Sequence, residues 1–232
     1  LSRQGAIEGA EALLRWTDPA LGRINPGEVI PLAEECGLID AIGEFVFART
    51  CHAARELPGL TFAVNLSPAQ FRYKGLPQRL QGLAEREGIP PSRIELEITE
   101  NLLIEHGRTY EREMREMREM GFTIALDDFG TGYSSLSYLS RFPVQKIKLD
   151  RAFIGAAHLS HNMAIIRAAV SLGHSLGLTV TAEGVQDEDQ ERIALESGCD
   201  SLQGFRYAMA MPLDQLVAFV REQGATRFPR AA

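Results

Sequence analysis

What this chain has little of narrows its class first. Three cysteines, Cys36, Cys51 and Cys199, are spread through 232 residues. An odd count without metal-ligand spacing argues against a disulfide framework or a thiolate metal site, so buried, reduced thiols in a cytosolic chain are expected. No apolar run approaches the roughly 18 residues that span a bilayer, and no signal peptide opens the sequence. Positive charge is scarce, with 24 Lys and Arg against 31 Asp and Glu for a formal net charge of -7. That balance argues against binding a nucleic acid polymer, whose phosphates need a surplus of Lys and Arg. A single phosphate ligand held by metal and one or two cations is compatible with it. Low-complexity sequence and breaks in composition are also lacking, so residues 1–232 read as one domain. The first residue is Leu1 rather than Met, which points to a fragment of a longer multidomain chain. With 45% hydrophobic and 24% charged residues, the composition suits a soluble globular enzyme.

What is present is organised around Ile124-Ala125-Leu126-Asp127-Asp128-Phe129-Gly130-Thr131-Gly132. An apolar run ends in two adjacent carboxylates and breaks into a glycine-containing loop, as a buried strand does when it delivers charge to the mouth of a site. Two ionised carboxylates side by side repel unless a cation sits between them or one is protonated. A hard divalent metal with oxygen ligands is the simplest resolution.

Around this centre, strands and helices alternate about seven times. Strands are expected at Ala6 to Leu14, Thr61 to Ser67, Arg93 to Glu100, the central stretch, Val144 to Asp150, Thr179 to Val185 and Asp200 to Phe205. Arg93 to Glu100 alternates with period two and keeps its acids on one face. Helices are expected near Glu28 to Cys36, Ile39 to Glu56, Leu76 to Glu87, Glu111 to Met120, Asn162 to Leu178, Asp189 to Ser197 and Pro212 to Glu222. In Glu111 to Met120 the repeated Arg-Glu-Met should turn its methionines to the core. The alternation predicts an α/β domain, a (β/α) barrel in preference to a doubly wound open sheet. The barrel is favoured because Asn65, Glu97, Asp127, Lys148, Glu183 and Gln203 each fall near the C-terminal end of a different strand, where barrel enzymes place their chemistry.

Glu11, Asn65, Glu97 and Asp127 are all oxygen donors, a set that selects magnesium, manganese or calcium over zinc. The five histidines, His52, His106, His158, His161 and His174, fall on helices or loops away from the strand ends. Asp127 and Asp128 can flank two cations roughly 3.5–4 Å apart, the arrangement that clamps attacking and leaving oxygens in phosphoryl chemistry. Lys148 offers a fixed positive charge nearby.

Glu11-Ala12-Leu13-Leu14-Arg15-Trp16 resembles the signature of the EAL domains, phosphodiesterases of the bacterial second messenger cyclic di-GMP. The likeness continues through Val64-Asn65-Leu66-Ser67, Glu97-Ile98-Thr99-Glu100, Asp127 to Gly132, Lys148-Leu149-Asp150, Ala182-Glu183-Gly184-Val185 and Gln203-Gly204, and so covers essentially the whole chain. The resemblance implies a modified TIM barrel with one antiparallel strand, and hydrolysis of cyclic di-GMP to linear pGpG by a two-metal in-line mechanism. It implies Glu11, Asn65, Glu97 and Asp127 as ligands of a first ion, with Asp127 shared and Asp128 serving a second; the ions would be Mg2+ or Mn2+, with Ca2+ inhibitory. Glu183 would bind a metal-linked water or act as base, and Lys148 would orient the water. Arg15 would bind ligand phosphate, Gln203 would lie beside the metals, and Glu100 would pin the loop Phe129 to Ser135 that links dimerisation to activity. A homodimer and an upstream sensory or diguanylate cyclase domain are implied partners. The domain itself would be cytoplasmic and free of membrane contact, within a full-length protein that can be membrane-anchored.

Two departures stand out. Gln186 occupies a position where the family usually has glutamate, and the sequence starts after the Gln-Pro-containing first strand, so that strand is expected to be truncated. Two other readings have distinct signatures. A catalytically silent EAL domain would bind cyclic di-GMP without cleaving it, and a lyase or racemase barrel would use Lys148 as base beside carboxylate-held magnesium. Asn65 and the paired aspartates fit the lyase poorly.

Overall fold

The structure, a computed structural model, describes residues 1–130, 139, 141–155 and 160–223, with the backbone alone at 101, 103–108 and 160. The chain runs β1 (Gly9–Ala12), β2 (Trp16–Asp18), β3 (Gly22–Ile24), α1 (Pro26–Glu35), α2 (Ile39–Glu56), β4 (Thr61–Asn65), α3 (Leu76–Glu87) and β5 (Ile94–Thr99). It continues through α4 (Glu100–Glu119), β6 (Thr123–Phe129), β7 (Lys146–Leu149), α5 (Arg151–Gly155), α6 (Ser160–Ser175), β8 (Thr179–Ala182), α7 (Glu188–Glu196), β9 (Ser201–Leu202) and α8 (Leu213–Gln223).

One sheet of seven strands, in the order β1-β4-β5-β6-β7-β8-β9, carries the architecture, and every neighbouring pair is parallel. The sheet curls into a modified TIM barrel. Its antiparallel component is short: Ser2 bridges Ser201 in the antiparallel sense, while Leu1 and Leu202 exchange backbone hydrogen bonds of 2.7 and 2.8 Å. Between β1 and β9 the described residues close the seam with side chains, Ser201 Oγ donating to Glu8 Oε2 at 3.1 Å and Gln203 Nε2 to Glu11 Oε2 at 2.6 Å.

The period-two pattern explains the layering. Along β5, Ile94, Leu96 and Ile98 are buried towards the helices, each worth about 1.5–3 kcal/mol of transfer free energy. The alternate residues Glu95 and Glu97 face the barrel interior, where a polar cavity of about 540 Å³ is lined by both of them together with Thr123, Lys146, Lys148 and Thr181. Register decides how these groups meet. Glu97 stands level with Ala125 of β6, and Ala125 with Lys146 of β7. With only a buried methyl on the strand between them, the β7 lysines reach across to the β5 acids, Lys146 to Glu95 and Lys148 to Glu97.

Outside the sheet, α4 turns Met114 and Met117 into the core, as its Arg-Glu-Met repeat predicts. Cys51 and Cys199 are buried, and burial pushes both thiols up to about 12, which leaves them unreactive. Cys36 departs from the expectation: it caps α1 at the surface and is exposed. Beyond β1 the chain forms an antiparallel hairpin of β2 and β3, which the sequence pattern does not announce because its three-residue strands are too short to show a period. No helix among the described residues is long and apolar enough to cross a membrane.

Candidate active site

At the C-terminal ends of the strands, Glu11 of β1 accepts two amide hydrogen bonds. Asn65 Nδ2 at the end of β4 donates to its Oε1 at 2.8 Å, and Gln203 Nε2 just beyond β9 donates to its Oε2. Gln203 can stand there because Gly204 follows; a Cβ on Gly204 would lie 2.0 Å from the carbonyl oxygen of Val185.

Lys148 of β7 occupies the centre. Its Nζ lies 2.5 Å from Glu97 Oε1, 2.6 Å from Glu183 Oε1, 3.5 Å from Asp127 Oδ1 and 3.9 Å from Glu11 Oε2. The lysine side chain is 2% exposed and that of Glu97 is fully buried. Burial alone would lower the lysine pKa, but the carboxylates of Glu97, Glu11, Glu183 and Asp127 outweigh it and hold the ammonium charged. Glu97 moves upward because burial penalises its charge more than Lys148 favours it. For the same two reasons Glu183 is pushed up to about 7.

The acidic pair breaks its strand. The β6–β7 register shifts between Leu126 and Phe129, a bulge that frees Asp127 and Asp128 from the ladder to β7 while Asp127 stays level with Thr99 of β5. Asp128 adopts φ 55, the only positive φ of a non-glycine residue among the described ones. Its backbone N–H donates to Asp127 Oδ1 at 3.0 Å, and burial together with the charge of Asp127 raises its carboxyl pKa. Two residues on, the Gly130 N–H donates to Glu100 Oε2 at 2.9 Å. Glu100 thus holds the start of the expected loop; residues 131–135 of it lie outside the described residues, as does any dimer contact they make.

The donor set fits hard divalent cations. Glu11, Asn65, Glu97, Asp127 and Asp128 offer oxygen alone, and five acids, with Glu183, against one lysine leave the negative excess that two divalent ions would cancel. Among the described residues no three carboxylates form a ready metal cage by themselves, since the ammonium stands between them.

Arg15 is placed apart from this centre. It is exposed on the link between β1 and β2, donates from Nη1 to its neighbour Leu14 O at 2.9 Å, and lines a groove of about 430 Å³ with Trp16, Ile42 and Phe45. Gln186 is exposed and joins the start of α7 through its backbone N–H, which donates to Gln190. Sequence reasoning gave no role to Asp150, which follows β7 and accepts from the Ala152 N–H at 2.8 Å while its charge bears on Asp128. Its position at a strand end was the available signal.

The family model described as EAL domain matches residues 2–210. The chain belongs to the EAL domain family. Among its relatives is the bifunctional diguanylate cyclase/cyclic di-GMP phosphodiesterase MucR of Pseudomonas aeruginosa, 43% identical over 226 residues, which cover 95% of this chain and 33% of MucR. A solved structure described as the PaMucR phosphodiesterase in complex with c-di-GMP superposes on the EAL domain with a TM-score of 0.88 at 42% identity, covering 93% of this chain and 90% of that one. A manganese/cy-diGMP complex of Klebsiella pneumoniae BlrP1 at pH 6 gives a TM-score of 0.74 at 30% identity, covering 85% of this chain and 50% of BlrP1. The chain spans about a quarter to a third of the length of the curated relatives it matches.

Proposed function

We propose that this EAL domain hydrolyses one phosphodiester of cyclic di-GMP to give linear pGpG. The observation that carries the reading is the convergence of Glu11, Asn65, Glu97, Asp127, Glu183 and Lys148 at one end of the barrel, with every principal position filled by the residue type the chemistry needs. MucR, matched over nearly all of this chain, has that activity in its name, and the c-di-GMP complex of its phosphodiesterase has the same fold.

Glu11, Asn65, Glu97 and Asp127 would hold one divalent ion, Mg2+ or Mn2+, and Asp127 with Asp128 a second. When bound, such ions lower the pKa of water and screen the phosphate. The protein's own groups supply the rest. Glu183, held at the mouth 2.6 Å from Lys148 Nζ, would accept a proton from the attacking water. Lys148 would orient that water and offset charge on the scissile phosphate. Gln203 and Asn65 fix the rotamer of Glu11. Arg15 would hold a ligand phosphate from the groove wall, where Trp16 and Phe45 offer apolar surface to a base. Glu100 would set the loop after Asp128, through which two copies would pair. We place the domain in the cytoplasm, as one unit of a longer sensory or cyclase-linked chain.

Incubation with cyclic di-GMP and Mn2+ or Mg2+, followed by chromatography, tests the reading. Release of pGpG is the expected result. Saturable binding without product would make the domain a silent receptor instead.

A further inference from the structure

The ammonium of Lys148 touches the same oxygens that the proposed function assigns to divalent ions. It approaches Glu97 and Glu183 within 2.6 Å and Asp127 within 3.5 Å. Apart from this ammonium, Glu97 Oε1 and Oε2 and Glu183 Oε1 are buried with no hydrogen-bond partner. A single cation thus sits amid carboxylate oxygens from several strands, as a metal ion would. From this we infer that Lys148 is the resident counter-ion of the metal-free domain, an internal cation that keeps the acidic mouth assembled and yields Glu97 and Asp127 to divalent ions while keeping Glu183, where it stands beside the attacking water. The inference rests on the metal assignment made above.

Two further features support it. Without a cation, acids on separate strands would repel at close quarters in a poorly solvated interior, and removing one partner of a buried ion pair leaves the others uncompensated. Lys148 is the lysine that meets them, because Lys146, one layer below, is engaged by Glu95. There is also space for it to shift: the interior cavity that reaches past Thr181 and Thr123 is lined by Lys148 itself. An ammonium that leaves Glu97 and Asp127 can therefore shift slightly and stay on Glu183 without unfolding the barrel.

The consequence is a competition. Metal affinity is lower than the oxygen set alone would give, because the ion held by Glu97 and Asp127 replaces a charge already in place. The experiment compares wild type with Lys148→Met and, as a control for barrel packing, Lys146→Met. Titration with Mn2+ alone, followed calorimetrically, should show at least tenfold tighter binding for Lys148→Met and unchanged binding for Lys146→Met. In EDTA, Lys148→Met should melt well below wild type, and Mn2+ should raise its melting temperature by more than it raises that of wild type. Unchanged or weaker Mn2+ binding by a folded Lys148→Met would overturn the inference.

Should Lys148→Met fail to fold, wild type carries the test through the Lys148 Nζ signal in 15N NMR during Mg2+ titration. Movement of that signal, saturating with Mg2+ binding, is expected; a signal that stays fixed while Mg2+ binds sinks the displacement but spares the metal site. Failure of wild type to bind either ion at all would remove the metal assignment and this inference together.

Discussion

Gln203 and Glu11, 192 positions apart in sequence, are joined by a 2.6 Å hydrogen bond across the seam between the last and first strands of the sheet. One of the two side-chain pairs across the seam therefore also orients a proposed ligand. Gln203→Ala should cost about 1.5–3 kcal/mol, the range for a bond to a charged group, and should weaken Mn2+ binding as well. Gln203→Glu, which sets a second carboxylate against Glu11, should be worse without metal and partly rescued by it. Denaturant melts with and without Mn2+ check both. Equal stability of wild type and Gln203→Ala would mean that the rest of the seam, with the Ser201–Glu8 bond, holds without it.

Glu11→Ala should abolish turnover while leaving the circular dichroism spectrum intact, because it removes one oxygen donor from a site held by several strands. In the wild type, Ca2+ should support binding of cyclic di-GMP but not its cleavage, since calcium prefers larger and looser coordination. Product analysis with each ion tests this. Rapid calcium-driven hydrolysis, or wild-type turnover by Glu11→Ala, would contradict the metal assignment.

The acidic mouth should make the metal-free protein less stable as pH rises. Glu183 has a folded pKa of about 7, raised from 4.5 by burial. A carboxyl raised on folding binds its proton more readily in the native state, so it costs stability wherever the unfolded chain has already released that proton. For Glu183 the cost sets in above 4.5 and is complete above about 7, with a slope of up to about 1.4 kcal/mol per pH unit between. In EDTA, wild type should therefore lose melting temperature between about pH 5 and pH 7 more steeply than Glu183→Gln. Divalent ions should reverse the trend and release protons on binding, measurable as a buffer-dependent enthalpy. Parallel melting profiles for the two proteins in EDTA would contradict the raised carboxyl.

Glu100 is buried, and its Oε2 accepts from the Gly130 N–H. Glu100→Gln keeps an acceptor and should retain most activity. Glu100→Ala should lower kcat by about tenfold, as expected when about 1.4 kcal/mol of positioning is lost, with Mn2+ affinity little changed. Matching kinetics for the two variants would show that the contact does not position the loop.

Much of the sheet was legible because each strand carries its own period. Arg93 to Glu100 announces both the apolar face that meets the helices and the acidic face that meets the interior, and β5 keeps that division. The strand-end residues were legible for the same reason, being the polar terminus of each run. What the sequence hid depends on register and closure. That Lys148 would stand among Glu97, Glu183 and Asp127 follows from the offset of β7 against β6, which no local pattern encodes. The first turns of α4 were hidden too: Glu100 continues the alternation of β5 by type, yet it begins the helix. Arg15, adjacent in sequence to the motif of Glu11, lies just beyond β1 on a groove wall with Trp16 and Phe45, a neighbourhood that no local pattern encodes.

Ala125 contributes only a methyl group, and its importance lies in the volume it leaves empty. Enlarging it to leucine would look like ordinary improvement of an aliphatic interior, yet the added carbons would occupy the corridor through which the lysine arm crosses β6. A barrel of this kind resists the usual route to thermal hardening, since its middle is wired for charge and its tolerance for repacking lies in the outer layer of helices.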